Sequence, residues 1–181
     1  APGTHSLSAF NGLTLRGTVL YKMSPVVSFQ PGVDINTENG DGERIKTGVQ
    51  QINDYAFFIT SEITPAKRIN IRPGLRFVHN SVYDAPPAIP SLNLKFGLTE
   101  KLDLRVAYAR GFRSPSIREL YFDFRDGSHD ILGNTELQAE YSNSFTGSLT
   151  LTAIQKESLR FSTSLSGFYN DVSNMIGYVQ S

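Results

Sequence analysis

Apolar residues recur at every second position along most of this chain. Leu13, Leu15, Gly17, Val19 and Tyr21 alternate with Thr14, Arg16, Thr18 and Leu20. Val27, Phe29, Pro31, Val33 and Ile35 alternate with Ser28, Gln30, Gly32 and Asp34. Further stripes run through Tyr55, Phe57, Ile59 and Ile63, through Ile69, Ile71, Leu75 and Phe77, and through Leu92, Leu94, Phe96 and Leu98. The last three are Leu102, Leu104, Val106 and Tyr108, then Phe145, Leu149 and Leu151, then Leu159, Phe161 and Leu165. A period of two places one set of side chains on each face of a pleated strand. The pattern predicts an all-β protein, an antiparallel up-and-down meander of about eight strands, with no helical periodicity outside the connections. Pro31 and Pro73 sit inside strand patterns and count against them, since each removes a ladder donor.

The connections add a direction. Short ones (22–25, 65–67, 99–101 and 154–157) alternate with long ones at about 36–53, 80–90 and 113–139. Alternate connections of a meander emerge at opposite ends, so one end is trimmed and the other elaborated. Transmembrane barrels show this asymmetry. A soluble up-and-down barrel alternates equally well, so a soluble β-rich binding or structural module, with the apolar stripe as its core, stands as the alternative. A loop of nearly thirty residues is unusual in such a module unless it is functional. Arg72, Arg76, Asp103, Arg105 and Arg160 are read as mid-strand polar positions, which suits a wet lumen as well as a solvated sheet face.

Composition excludes more than it identifies. Among 181 residues, Lys plus Arg and Asp plus Glu number 17 each, so no basic excess points to nucleic acid. There is no cysteine, hence no disulfide, thiolate zinc site or cysteine nucleophile. No apolar run reaches the roughly 18 residues of a membrane helix, which a β-barrel does not need. The first residues, APGTHSLSAF, lack the basic and apolar regions of a signal peptide. No phosphate-cradling loop, His-Glu-x-x-His or nucleophile elbow is present, and His5, His79 and His129 are scattered, so the reading is not an enzyme, with no cofactor.

One stretch resembles a known family. LDLRVAYARGFRSPSIRELYFDF (102–124), followed by GNTELQAEYSNSFTGSL (133–149), is similar to an element of TonB-dependent outer-membrane receptors. The matching positions are Tyr108, Gly111, Phe112, Arg113, Pro115, Ser116, Glu119, Leu120 and Tyr121, then Gly133, Asn134, Leu137, Glu140 and Ser142. Residues 54–77 and 167–179 are similar to the neighbouring hairpins, so the resemblance covers most of 54–179. It implies a segment of a transmembrane β-barrel in a Gram-negative outer membrane. The parent would import a scarce bulky solute, a siderophore, haem, cobalamin or glycan, with energy from TonB. Barrels of that kind have about 22 strands, so residues 1–181 are expected to be a partial barrel, with plug and C-terminal strand outside it. The implied partners are outer-membrane lipid, the plug and remaining barrel, TonB through an N-terminal part, and the small-molecule or glycan ligand.

Four residues are singled out as lumen or loop contacts: Arg113, Glu119, Tyr121 and His129. Arg113 and Glu119 either form a network that steers an anionic ligand or meets the plug, or a local ion pair that shapes the loop. The second is preferred. His129 with Asp126 and Asp130 is set aside as a metal site, because three or four convergent ligands are needed. Asp34, Asn36, Glu38 and Glu43 resemble a calcium loop except that Asn39 stands where glycine is required. Tyr55, Phe57, Phe58, Tyr108, Phe112, Tyr121, Phe122 and Phe124 are read as lipid-belt or sheet-face residues rather than stacking platforms.

Overall fold

A computed structural model describes residues 8–46, 48–125 and 130–177. Its elements in chain order are β1 (Ala9–Thr18), β2 (Tyr21–Lys22), β3 (Val27–Asp41), β4 (Gln50–Ala66), β5 (Ile69–Asn80), β6 (Ile89–Gly97) and β7 (Leu102–Arg113). There follow α1 (Ile117–Tyr121), β8 (Asp123–Arg125), β9 (Asp130–Leu132), β10 (Glu140–Lys156) and β11 (Leu159–Ser173). The main sheet runs β1-β3-β4-β5-β6-β7-β10-β11, every pair antiparallel, with β2 added beside β3. This is the meander expected from the alternation. Its edges, β1 and β11, are not paired to each other, so the sheet stays open.

Register explains why period two was so clear. Val33, Phe57 and Phe77 stand side by side on one face, as do Leu92, Tyr108, Phe145 and Tyr169. The rings of Tyr108 and Phe145 lie 4.9 Å apart and those of Phe145 and Tyr169 6.5 Å apart, in the range where aromatic pairs attract. The opposite face carries Arg16, Asp34, Arg72, Arg76, Lys95, Asp103 and Arg105, interspersed with serine and threonine. Slipping one strand by a residue would exchange these two sets. Arg160 lies one residue into β11, opposite Gln155, rather than at a strand centre.

Both strand prolines are accommodated. The Pro31 carbonyl accepts the Val19 amide at 3.0 Å, just beyond the last β1–β3 pair, Thr18↔Gly32. In an antiparallel strand N–H and C=O of one residue point to the same neighbour, so the missing donor faces a strand that has ended. Pro73 lies where the β4–β5 ladder is interrupted, between Thr60↔Gly74 and Ile63↔Ile71.

The first long connection is shorter than expected, 42–49 rather than 36–53. β3 and β4 run on beyond the apolar belt, through the pairs Asn36↔Asp54 to Gly40↔Gln50. Polar residues on both faces hid this part of the ladder. The other two long connections span 81–88 and 114–139, and the latter holds α1 and the β8–β9 hairpin.

The core lies away from the middle of the sheet. The buried apolar residues are Ile45, Ile52, Ala56, Ile117, Leu120 and Ala139 among those described, all near the long-loop end. Leu15, Val33 and Phe57, by contrast, leave about half or more of their surface uncovered (58 %, 47 % and 48 %).

Candidate functional site

The elaborated end is a cap built from three connections, and its architecture follows from residues 111–142. β7 closes on Arg113, which stands directly opposite Glu140 of β10. Gly111 faces Ser142 in the same ladder, and a Cβ on Gly111 would collide with the Ser142 hydroxyl. Pro115 is fully buried and ends the strand, because its ring cannot continue a donor ladder. Ser116 then opens α1 with a capping box. Its hydroxyl accepts the Glu119 amide at 3.3 Å, while the Glu119 carboxylate accepts the Ser116 amide at 2.8 Å. Reciprocal capping satisfies donors that the first turn leaves unpaired.

Arg113 joins this helix to the sheet. Its Nε donates to Glu140 Oε2 at 2.9 Å and its Nη2 to Glu140 Oε1 at 3.3 Å. Nη1 and Nη2 grip Glu119 at 3.0–3.2 Å. The guanidinium is thereby engaged on both sides by carboxylates, a fork geometry that lysine could not reproduce. Arg113 and Glu119 form an ion pair at 3.0 Å, with Glu140 as a third member at 2.9 Å.

These groups lie beyond the apolar belt. Outward of Tyr108 and Phe145 the next pair on that face is Arg110 with Asn143, both polar. Hydrogen bonds from Arg113, then the Ile176 amide, hold the Glu140 carboxyl below its ordinary value. Burial pushes Glu119 upward, but Arg113 and Ser116 more than offset it, and its net shift is downward. Arg113 is raised, chiefly by Glu140 and then Glu119.

α1 is secured from below. Ile117 Cγ2 would lie 2.7 Å from a Cβ on Gly40, so glycine there lets the helix approach β3. Glu38 of β3 accepts the Ile117 amide, and burial raises its carboxyl above the ordinary value. On the far side, Gly133 packs against main chain: a Cβ would stand 2.6 Å from Leu120 C and 2.8 Å from Phe122 N. The Gly133 amide donates to Phe122 O at 2.6 Å, and the Asn134 amide to Glu119 O at 2.9 Å. Gly133 and Asn134 of the resembling motif are thus the backbone clasp of the long loop.

Asn80 escaped the sequence reading. It is buried, and its Oδ1 accepts the Val82 and Tyr83 amides at 2.8 Å each. Its Nδ2 donates to Asp54 at 2.7 Å and to Ser114 Oγ at 3.2 Å, tying two connections together. The Asn-Ser-Val-Tyr run carried a turn signal that could have located it. Glu38 and Ile45 had no such signal.

Under residues 114–116 lies a cleft of about 560 Å³ on the polar face, lined also by Arg16, Asp34, Glu38, Asp54 and Arg76. Asp34 accepts from Arg16 at 2.6 Å and from Arg76 at 3.1 Å. Asp34, Asn36 and Glu38 are therefore extended strand residues, and the resemblance to a calcium loop is a coincidence of spacing. Nearer the short turns the same face opens into a hollow of about 1390 Å³, bordered by Arg72, Lys95, Asp103 and Arg105. Lys95 pairs with Asp103 at 3.1 Å and Arg72 with Glu62 at 2.7 Å.

Tyr121 packs partly buried against the Ile45–Ile52–Ile117–Leu120 cluster, and its carbonyl accepts the Lys46 amide at 2.8 Å. His129 and Asp126 lie outside the described residues. Among the described residues no group of three or more His, Cys, Asp or Glu is placed to hold a metal. Aromatics at this end are engaged locally: Arg118 lies 4.9 Å over Phe10 of β1 and Arg44 4.0 Å over Phe124 of β8.

Comparison with known proteins agrees with this architecture. Over 90 residues, half of the chain, it is 33 % identical to the hemoglobin and hemoglobin-haptoglobin-binding protein B of Haemophilus influenzae. It is equally similar to a probable hemoglobin and hemoglobin-haptoglobin-binding protein 3 of the same species. The match spans 8 % of the length of each relative. Among solved structures, the siderophore receptor PirA of Pseudomonas aeruginosa superposes on 91 % of the chain with a TM-score of 0.77 at 20 % identity, using 32 % of that receptor. A variant of the ferric enterobactin receptor PfeA of Pseudomonas aeruginosa, bound to enterobactin, gives 0.74 at 20 % identity, over 91 % of this chain and 27 % of its own. At such identities these likenesses show the fold alone. The profile of the TonB dependent receptor-like, beta-barrel family matches residues 4–181, and the chain therefore belongs to that family of transmembrane receptors, which are not enzymes.

Proposed function

We propose that this chain supplies part of the wall and of the extracellular cap of an outer-membrane receptor that imports a scarce bulky solute. The observation that carries this reading is the division of the sheet. One face is apolar and uncovered, suited to lipid, while the other is polar, hollow and roofed by a folded loop. A soluble module would instead use the apolar stripe as its core, and here that stripe is exposed. The chain spans only a small part of the relatives it matches, so plug, remaining strands and the TonB-binding segment would come from the rest of the protein. The relatives named for hemoglobin and the fold neighbours named for siderophores favour haem or an iron chelate over cobalamin or a glycan. Arg113, Glu119 and Tyr121 would act by shaping the cap over the solute path. His129 belongs to the same long loop.

The test is deletion of 114–139 from the whole receptor in a Gram-negative host lacking its own route for the iron source supplied. Growth on haem or a ferric siderophore should be lost while the receptor still fractionates with the outer membrane. Undiminished uptake of every such source by the deleted receptor would overturn the proposal.

A further inference from the structure

The contacts at the long-loop end do not stay within single loops. Arg113, closing β7, holds Glu119 of α1 and Glu140 of β10 together. Glu140 Oε1 also accepts the Ile176 amide at 2.6 Å, and Asn174 Nδ2 donates to Ala139 O at 3.3 Å, so the chain after β11 is joined as well. On the other flank, residues 44–46 run beside 121–123. The Lys46 amide donates to Tyr121 O and the Asp123 amide to Arg44 O, both at 2.8 Å. Lys46 Nζ reaches Gly133 O at 3.1 Å, and Asn80 links 81–88 to Ser114. The small core is shared in the same way, Ile45 and Ile52 coming from one connection and its strand, Ile117 and Leu120 from another.

A circuit of this kind resists partial opening. Lifting 114–139 alone would leave Ile45 and Ile52 against water and Arg113 without Glu119. Lifting 42–49 alone would uncover Ile117 and Leu120 and break the contact of Lys46 Nζ with Gly133 O. Each separation breaks core contacts that two segments share and hydrogen bonds that join them, which is the condition for a cooperative unit of local unfolding. The β6–β7 ladder next to it shares none of these side chains.

We propose that the described residues of connections 42–46, 48–49, 81–88, 114–125 and 130–139, with the 174–177 segment, form one cooperative lid, latched at Arg113 between Glu119 and Glu140, that leaves the polar face as a single body rather than loop by loop. The proposal is independent of which solute passes.

Hydrogen–deuterium exchange on the full-length receptor in detergent micelles tests it with two lesions placed far apart in the unit. Glu140→Gln weakens the latch, whereas Gly133→Ala forces a methyl against the Leu120 and Phe122 main chain. Both should accelerate exchange at the same protected amides (Lys46, Val82, Tyr83, Leu120, Asp123 and Ile176) by a common factor of about tenfold or more. The β6–β7 amides should stay as in the parent and report that the barrel is intact. Should Gly133→Ala fail to assemble, Glu140→Gln alone decides by whether acceleration reaches Lys46 and Tyr83. Acceleration confined to the connection that carries the lesion, different sets for the two variants, or no acceleration at all overturns the proposal.

Discussion

The wall and the cap of this molecule are built on opposite principles. The wall, β1 to β11, is held by long antiparallel ladders, exposes its apolar face and spaces charges along the other. Its strands need one another only through the backbone and through cross-strand side-chain pairs. The cap has very short ladders, yet it contains most of the fully buried side chains, Ile117, Leu120 and Pro115 among them. It is a small globule with a water-excluded centre, set on a sheet that is apolar on one face and polar on the other. Burial therefore stabilises the cap, whereas the wall relies on backbone pairing and on the surroundings of its outer face.

That contrast can be broken most strongly at Ile117. Ile117→Ala removes a fully buried side chain from a four-residue core and should cost the cap about 2–5 kcal/mol. Limited proteolysis of the receptor should then cut within 114–139, with the strands uncut. Cleavage no faster than in the parent would mean that the cap does not depend on its core.

The wall should respond to charge according to face. Val106→Arg puts a cation on the outer apolar face, where it should cost about 2–4 kcal/mol near the bilayer midplane. Ser148→Arg, paired opposite Arg105 on the polar face, should be milder and fold in the same lipid. Urea unfolding of the receptor in vesicles compares them, and equal losses would argue that the two faces do not differ in environment.

A smaller effect is expected at the helix cap. Ser116→Ala keeps the Arg113–Glu119 pair but removes the capping hydroxyl, for about 0.5–2 kcal/mol, read as faster exchange at the Glu119 amide. The smallest is an effect of pH. Glu119 and Glu140 have carboxyls lowered by Arg113, so their contribution is present above the ordinary carboxylate value and lost as pH falls through their lowered values. Proteolysis of the cap should accelerate as the pH falls through that range. Cleavage no faster in acid than above that range would mean that these two carboxylates do not support the cap.

How legible each region was in the sequence follows from the same contrast. Wall positions obey a local rule: Leu104, Val106 and Tyr108 share a face because they are two apart, whatever their neighbours are. The cap obeys none. Lys46 meets Gly133 across 87 residues, and Glu140 meets Ile176 across 36. Only pieces with local chemistry showed through, namely the Ser116–Glu119 capping box and the Gly133–Asn134 turn, and they did so as a family pattern rather than as a derived geometry. The strand extensions 36–41 and 50–53 were missed because polar side chains on both faces erase the period-two signal while leaving the backbone ladder intact.

The sequence by itself determined the β class, the assignment of each side chain to a face, the orientation of the meander and the family. These rest on short-range periodicity, on loop lengths and on a compact motif. Tertiary structure alone decided that Arg113 bridges two carboxylates, that Glu38 supports α1 from the wall, and that Ile45 and Ile52 share one small core with Ile117 and Leu120. Those contacts join residues whose separation along the chain carries no period, so their pairing exists only once the strands have set the loop ends side by side.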